Sequence, residues 1–152
     1  MKKMVGIIQE HMYTHSDIKI FEAGIRKIYQ EHYDPNKSLN VLWMVMPKWY
    51  GYSERKLSEA TVIVIEVDED ITQEKREELM GRCSRFLLDN FNVSPLDSVI
   101  SVANTSFVDA FFEAQQRRIS SSHRFRINLK LYGTALFSKI RHGYKRLPVR
   151  FA

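Results

Sequence analysis

The strongest constraint on this chain is that it carries the same supersecondary pattern twice. An apolar run beginning Met4-Val5-Gly6-Ile7-Ile8, a helical stripe and the strand-like Leu39–Met46 come first; Thr61–Val67, a second helical stripe and Ser98–Asn104 repeat the order. The linking segment Asp34-Pro35-Asn36-Lys37-Ser38-Leu39 recurs 60 residues later as Ser94-Pro95-Leu96-Asp97-Ser98-Val99. A β-α-β unit pairs its strands in parallel through a right-handed crossover helix. Two such units predict an α+β fold: tandem β-α-β repeats forming a four-stranded sheet with two helices on one face.

Local signals place the helices. Ile18, Phe21, Ile25, Ile28 and Tyr29 recur at three and four, with Ser16 and Asp17 available as caps and Asp34-Pro35 as the stop. In the second helix Leu79, Cys83, Phe86, Leu87 and Phe91 form the stripe, and Asp70 with Gln73 marks its start. Thr61–Val67 is β-branched and strongly apolar, which predicts a strand with both faces largely buried. The sheet face without helices therefore expects cover from other subunits, a trimer being one closed solution.

Charge divides the chain differently. The net charge is +5 over 152 residues, but residues 111–152 hold ten Lys/Arg and one acid, against 13 bases and 17 acids in residues 1–110. A body of −4 (1–110) thus carries a basic C-terminal extension of +9 (111–152), and the overall basicity says nothing about the body's ligands. A single cysteine, Cys83, excludes an intrachain disulfide and a Cys-based zinc site, which points to a reducing, cytoplasmic setting. No stretch approaches the roughly 18 apolar residues of a membrane span.

Three stretches resemble the tautomerase superfamily, in particular its fused-repeat members related to malonate semialdehyde decarboxylase. They are Gly51-Tyr52-Ser53-Glu54-Arg55, Thr72-Gln73-Glu74-Lys75, and Val93-Ser94-Pro95-Leu96-Asp97-Ser98-Val99-Ile100 followed by Ala103-Asn104. The resemblance covers about residues 1–107. It implies keto–enol isomerisation or a related lyase or hydrolytic reaction, with an amino-terminal proline amine as base. In this chain Met1 falls on the proline position and no proline precedes Pro35. The relatives' carboxylate-binding arginines match Asp68 and Asp70, which repel a carboxylate that arginines would grip. Their water-activating acid matches Lys37.

Residual catalysis would use the Met1 amine or Lys2 as base, with Arg55 or Lys56 as electrophilic partner. Trp49, Tyr50 and Tyr52 around Gly51 line either a pocket mouth or a subunit interface. Asp68, Glu69 and Asp70 form an acidic turn, and Cys83 sits in an apolar stripe as a structural thiol. His11 and His15 lack the helical placement that would make their spacing a metal site. No cofactor motif is present: the six glycines are scattered.

In the extension, Gln115-Gln116-Arg117-Arg118 ends a short helix, Ser120-Ser121-Ser122 reads as a turn, and His123-Arg124-Phe125-Arg126-Ile127 alternates like an edge strand. An amphipathic helix follows, with Leu129, Tyr132, Leu136, Phe137 and Ile140 on its apolar side and Lys130, Lys139 and Arg141 beside them. It suits an anionic membrane surface, nucleic-acid phosphates, or an acidic body in a homo-oligomer, where it could clasp a neighbouring subunit. Two functions stay open: a tautomerase-like enzyme with an altered site acting on a small molecule, and a non-catalytic oligomeric interaction protein.

Overall fold

In a computed structural model, which describes residues 1–48, 52–53, 56–57, 60–117 and 120–149, the two repeats form matching units. The first runs β1 (Lys2–Gln9), α1 (His15–His32), β2 (Leu39–Met46). A hairpin of β3 (Tyr52–Ser53) and β4 (Lys56–Leu57) leads to the second: β5 (Thr61–Val67), α2 (Gln73–Phe91), β6 (Ser98–Asn104). β1 pairs in parallel with β2, Lys2 beside Leu39, and β5 with β6, Thr61 beside Ser98. Lys2 to Thr61 and Leu39 to Ser98 are the same shift of 59 residues, so the duplication is visible in the pairing register. β1 and β5 join the halves antiparallel, Gly6 opposite Ile63.

The extension corrects three expectations. It adds α3 (Thr105–Arg117), α4 (Ser121–His142) and β7 (Arg146–Pro148), with α3 running across residue 110. β7 pairs in parallel with β2, so the sheet has five strands, in the order β6-β5-β1-β2-β7, rather than four. Three residues ending in a proline carry no strand pattern, yet proline is tolerated on an edge. Residues 123–127, expected as an edge strand, lie inside α4; a five-residue alternation yields to a helix of 22 residues whose ladder runs through it. Ser121 and Ser122, expected in a turn, open that helix behind Ser120 as N-cap.

Both repeat helices start on a threonine. Thr14 caps α1 in a reciprocal box: Asp17 N–H donates to Thr14 Oγ1 (3.1 Å), and Thr14 N–H to the Asp17 carboxylate (2.9 Å). Asp17 is thus the third helical residue of the box, not the cap. Thr72 caps α2, accepting from Lys75 N–H (3.4 Å), and Asp70 lies ahead of the helix. Replacing Thr14 by alanine orphans one of the first-turn N–H groups and is expected to cost about 1 kcal/mol in chemical denaturation.

The core lies between the sheet and the two repeat helices. Met4 and Ile8 of β1, Val41, Trp43 and Val45 of β2, and Ile63, Ile65 and Val67 of β5 alternate inward, against Ile18, Phe21, Ile25 and Tyr29 of α1 and Leu79, Cys83 and Leu87 of α2. Burial pushes the Cys83 thiol up to about 12, in keeping with a structural role. The intervening residues Val5, Ile7, Leu42, Met44, Val62 and Val64 stay half-exposed on the opposite face and do not join the core. On β5 the second face is half-exposed at Val62 and Val64 and buried at Glu66, so its apolar part lacks full cover within a single chain.

Candidate functional site

The register sets the site. Parallel pairing brings the start of β1 beside the start of β2, and the antiparallel partner β5 ends at the same place. Lys2 and Lys3 consequently meet Glu66, Lys2 also meets Asp68, and Asp68 in turn reaches Lys37.

Asp68 is the hub. Its Oδ1 lies 2.6 Å from Lys2 Nζ, and its Oδ2 accepts from both Lys37 Nζ and the Tyr33 hydroxyl. The Tyr33 oxygen in turn accepts from the Asp68 backbone N–H (2.6 Å). The Lys2 ammonium, then Lys37 and Tyr33, hold the Asp68 carboxyl well below the usual carboxylate range. The Asp68 contact raises Lys37 above the ordinary lysine value. Burial, and then donation to Asp68, pushes the Tyr33 phenol up to about 12.

A second carboxylate completes the cluster. Glu66, 4% exposed, accepts from Lys3 N–H (3.1 Å) and from Thr105 Oγ1 (3.0 Å), and Lys2 Nζ stands 3.9 Å away. The Lys2 ammonium also donates to Thr105 Oγ1 (2.5 Å). Beside Asp68 lies an open cavity of about 260 Å³ lined by Tyr33, Lys37, Asp68, Asp70, Thr72 and Lys75.

Of the residues singled out from sequence, Lys2, Lys37 and Asp68 come into direct contact and Asp70 lines the same cavity. Met1 is 82% exposed. Trp49 and Arg55 lie outside the described residues; Tyr52 and Lys56 are placed as backbone of the hairpin, their side chains outside the description. Glu66, Tyr33 and Thr105 were not singled out. Glu66 had a signal, being the one charged residue in Thr61–Val67; Tyr33 and Thr105 had none, since only the fold brings them to the start of β1.

At the other end of β1, a cavity of about 510 Å³ is lined by residues including His11, Tyr13, His15, Tyr144 and Arg146. There His15 stacks on His142 (ring centroids 4.2 Å apart) and its Nδ1 lies 2.5 Å from the Tyr144 hydroxyl. Among the described residues no group of three His, Cys, Asp or Glu side chains could hold a metal ion, and no helix is long and apolar enough to cross a membrane.

No protein-family model and no curated protein matches the chain. Solved structures do. A fused 4-OT, described as a wild-type symmetric trimer, superposes with TM-score 0.60 at 6% identity, over 67% of this chain and 84% of that one. N1, a member of the cis-3-chloroacrylic acid dehalogenase family, gives 0.61 at 7% identity, over 67% and 73%. RhCC from Rhodococcus jostii RHA1 gives 0.56 at 21% identity, over 68% and 76%. At these identities the likeness is one of fold.

Proposed function

With the tautomerase fold as premise, we propose that this chain is a homo-oligomeric, non-catalytic interaction protein in which the proton-transfer site of that fold is replaced by a closed ion-pair cluster. The Lys2–Asp68 pair at 2.6 Å carries this reading. A proton-abstracting amine must be free and neutral near pH 7. Here the Lys2 ammonium is bonded to a carboxylate and to Thr105, with Glu66 next to it. Asp68 is held ionised, Tyr33 stays protonated, and Lys37 is held as a cation by the same Asp68. None of these three groups, Asp68, Tyr33 and Lys37, is poised to exchange a proton at neutral pH. The open apolar sheet face, and the solved fused 4-OT chains described as trimers, support assembly of copies.

The surviving cavity favours a second reading, keto–enol isomerisation of a small molecule with Lys2 or the Met1 amine as base. Ketonisation of the enol of phenylpyruvate, followed by ultraviolet absorbance from pH 6 to 9, separates the two. The proposal expects the buffer rate for both the parent and Lys2→Ala. A rate tenfold above buffer in the parent, lost in Lys2→Ala or on blocking the amino terminus, establishes the isomerase instead.

A further inference from the structure

The helix α4 is amphipathic in the inverted sense. Phe125, Leu129, Tyr132, Leu136 and Ile140, spaced four, three, four and four apart, fall within an arc of roughly 80°. They are 60–78% exposed. The side of α4 that meets its own chain is the more polar one: Ser138 is buried and donates to the Tyr144 carbonyl (3.2 Å), with Thr134 and Ala135 half-buried beside it. The helix is not loose. Gly143, at φ 84°, ends it in the left-handed conformation, and His142, Tyr144 and β7 fasten its C-terminal end to α1 and to the sheet edge. The apolar stripe is thus held outward by the fold, and a contiguous apolar patch of this kind marks an interaction surface.

Its charge narrows the occupant. Arg126 and Lys139 flank the stripe on its two sides, both exposed, and residues 114–152 contain no Asp or Glu. Pairing α4 with another α4 would face these cations against each other. The surface that complements the stripe belongs to the body: it carries −4 over residues 1–110 and leaves Val5, Ile7, Leu42, Met44, Val62 and Val64 uncovered.

We propose that the apolar stripe of α4 docks on the open sheet face of a second copy of this chain. The two patches differ, so the contact is heterologous and repeats head to tail until the ring closes. The extension is then the clasp of the assembly and not a tail awaiting a foreign ligand. The inference rests on the homo-oligomer reading above and adds the surfaces that form it.

Light scattering coupled to size-exclusion chromatography tests it on the full chain. The parent is expected to run as an oligomer, and Leu129→Asp/Leu136→Asp as a folded monomer with association weakened at least tenfold; both residues are exposed in the single chain, and circular dichroism checks that α4 persists. On a Cys83→Ser background, chains carrying Leu136→Cys co-expressed with chains carrying Val64→Cys are expected to cross-link between the two kinds of chain. A monomeric parent overturns the oligomer reading itself. An oligomeric parent whose mass is unchanged in the Asp variant, with no cross-link, overturns this inference alone. So does a parent that binds phosphatidylglycerol vesicles or duplex DNA through the same residues while its mass stays the same.

Discussion

Replacing Trp43 by alanine is expected to cost about 4 kcal/mol, the range for removing a fully buried indole. For a domain of this length that lowers the melting temperature by roughly 8–16 °C. Trp43 is 1% exposed on β2, inside a sheet whose order is β6-β5-β1-β2-β7. Its ring meets Phe21 of α1 edge-on at 5.0 Å and fills the space that Gly6 leaves on β1; a Cβ at Gly6 would stand 2.3 Å from it. Glycine at position 6 is therefore the counterpart of tryptophan at 43. Gly6→Ala alone is expected to cost about 2 kcal/mol by overpacking, and little in the Trp43→Ala background, where the space is free. Urea denaturation of the four proteins measures the coupling; additive losses would show that the two residues do not share that space.

The second large effect sits in the cluster. Asp68→Asn is expected to lose about 2 kcal/mol at pH 7, a figure suited to charge-assisted hydrogen bonds on a side chain that keeps about a third of its surface in water. Its pH dependence has a definite sign. A carboxyl whose folded value lies below its unfolded one stabilises above the unfolded value, about 3.9, and loses that contribution as pH falls below it. The gap between parent and Asp68→Asn should be full at pH 7 and narrow steadily below about pH 4. On the alkaline side Lys37, raised by the same contact, keeps its contribution up to about pH 10.4 and loses it as pH rises further. A gap that does not change between pH 7 and pH 2 would mean that the carboxylate charge is not what holds the cluster.

Much of this architecture was legible because the interior depends on periodicity, which is local. Ile18, Phe21, Ile25 and Tyr29 announce α1 by spacing alone, and all four are buried. The parallel pairs β1–β2 and β5–β6 follow from the repeat, since each half joins its own two strands through a crossover helix. The extension was less legible for two physical reasons. Phe125 and Ile127 alternate like a strand over five residues, too short a window against the helical stripe that continues to Ile140. β7 is defined by its hydrogen bonds to β2, Trp43 N–H donating to the Lys145 carbonyl (3.0 Å) and Val149 N–H to the Val45 carbonyl (2.8 Å), and no local pattern announces it.

The cluster was half legible. Lys2, Lys37, Asp68 and Asp70 could be named from where they fall relative to the repeats, but not their pairing. Two aspartates and two lysines read one at a time look like lost binding residues. Together, Lys2 and Lys37 meet on one Asp68 with Glu66 as the second carboxylate, two cations against two anions, and that pairing depends on β5 ending beside the start of β1.

The central claim is that the Lys2 ammonium is committed to Asp68 and is not held in reserve as a base. A double-mutant cycle on Lys2→Ala and Asp68→Ala, measured by urea denaturation at pH 7, tests it directly. The expected coupling energy is at least about 1 kcal/mol in favour of the pair. Coupling indistinguishable from zero would contradict the account, leaving Lys2 uncommitted to Asp68.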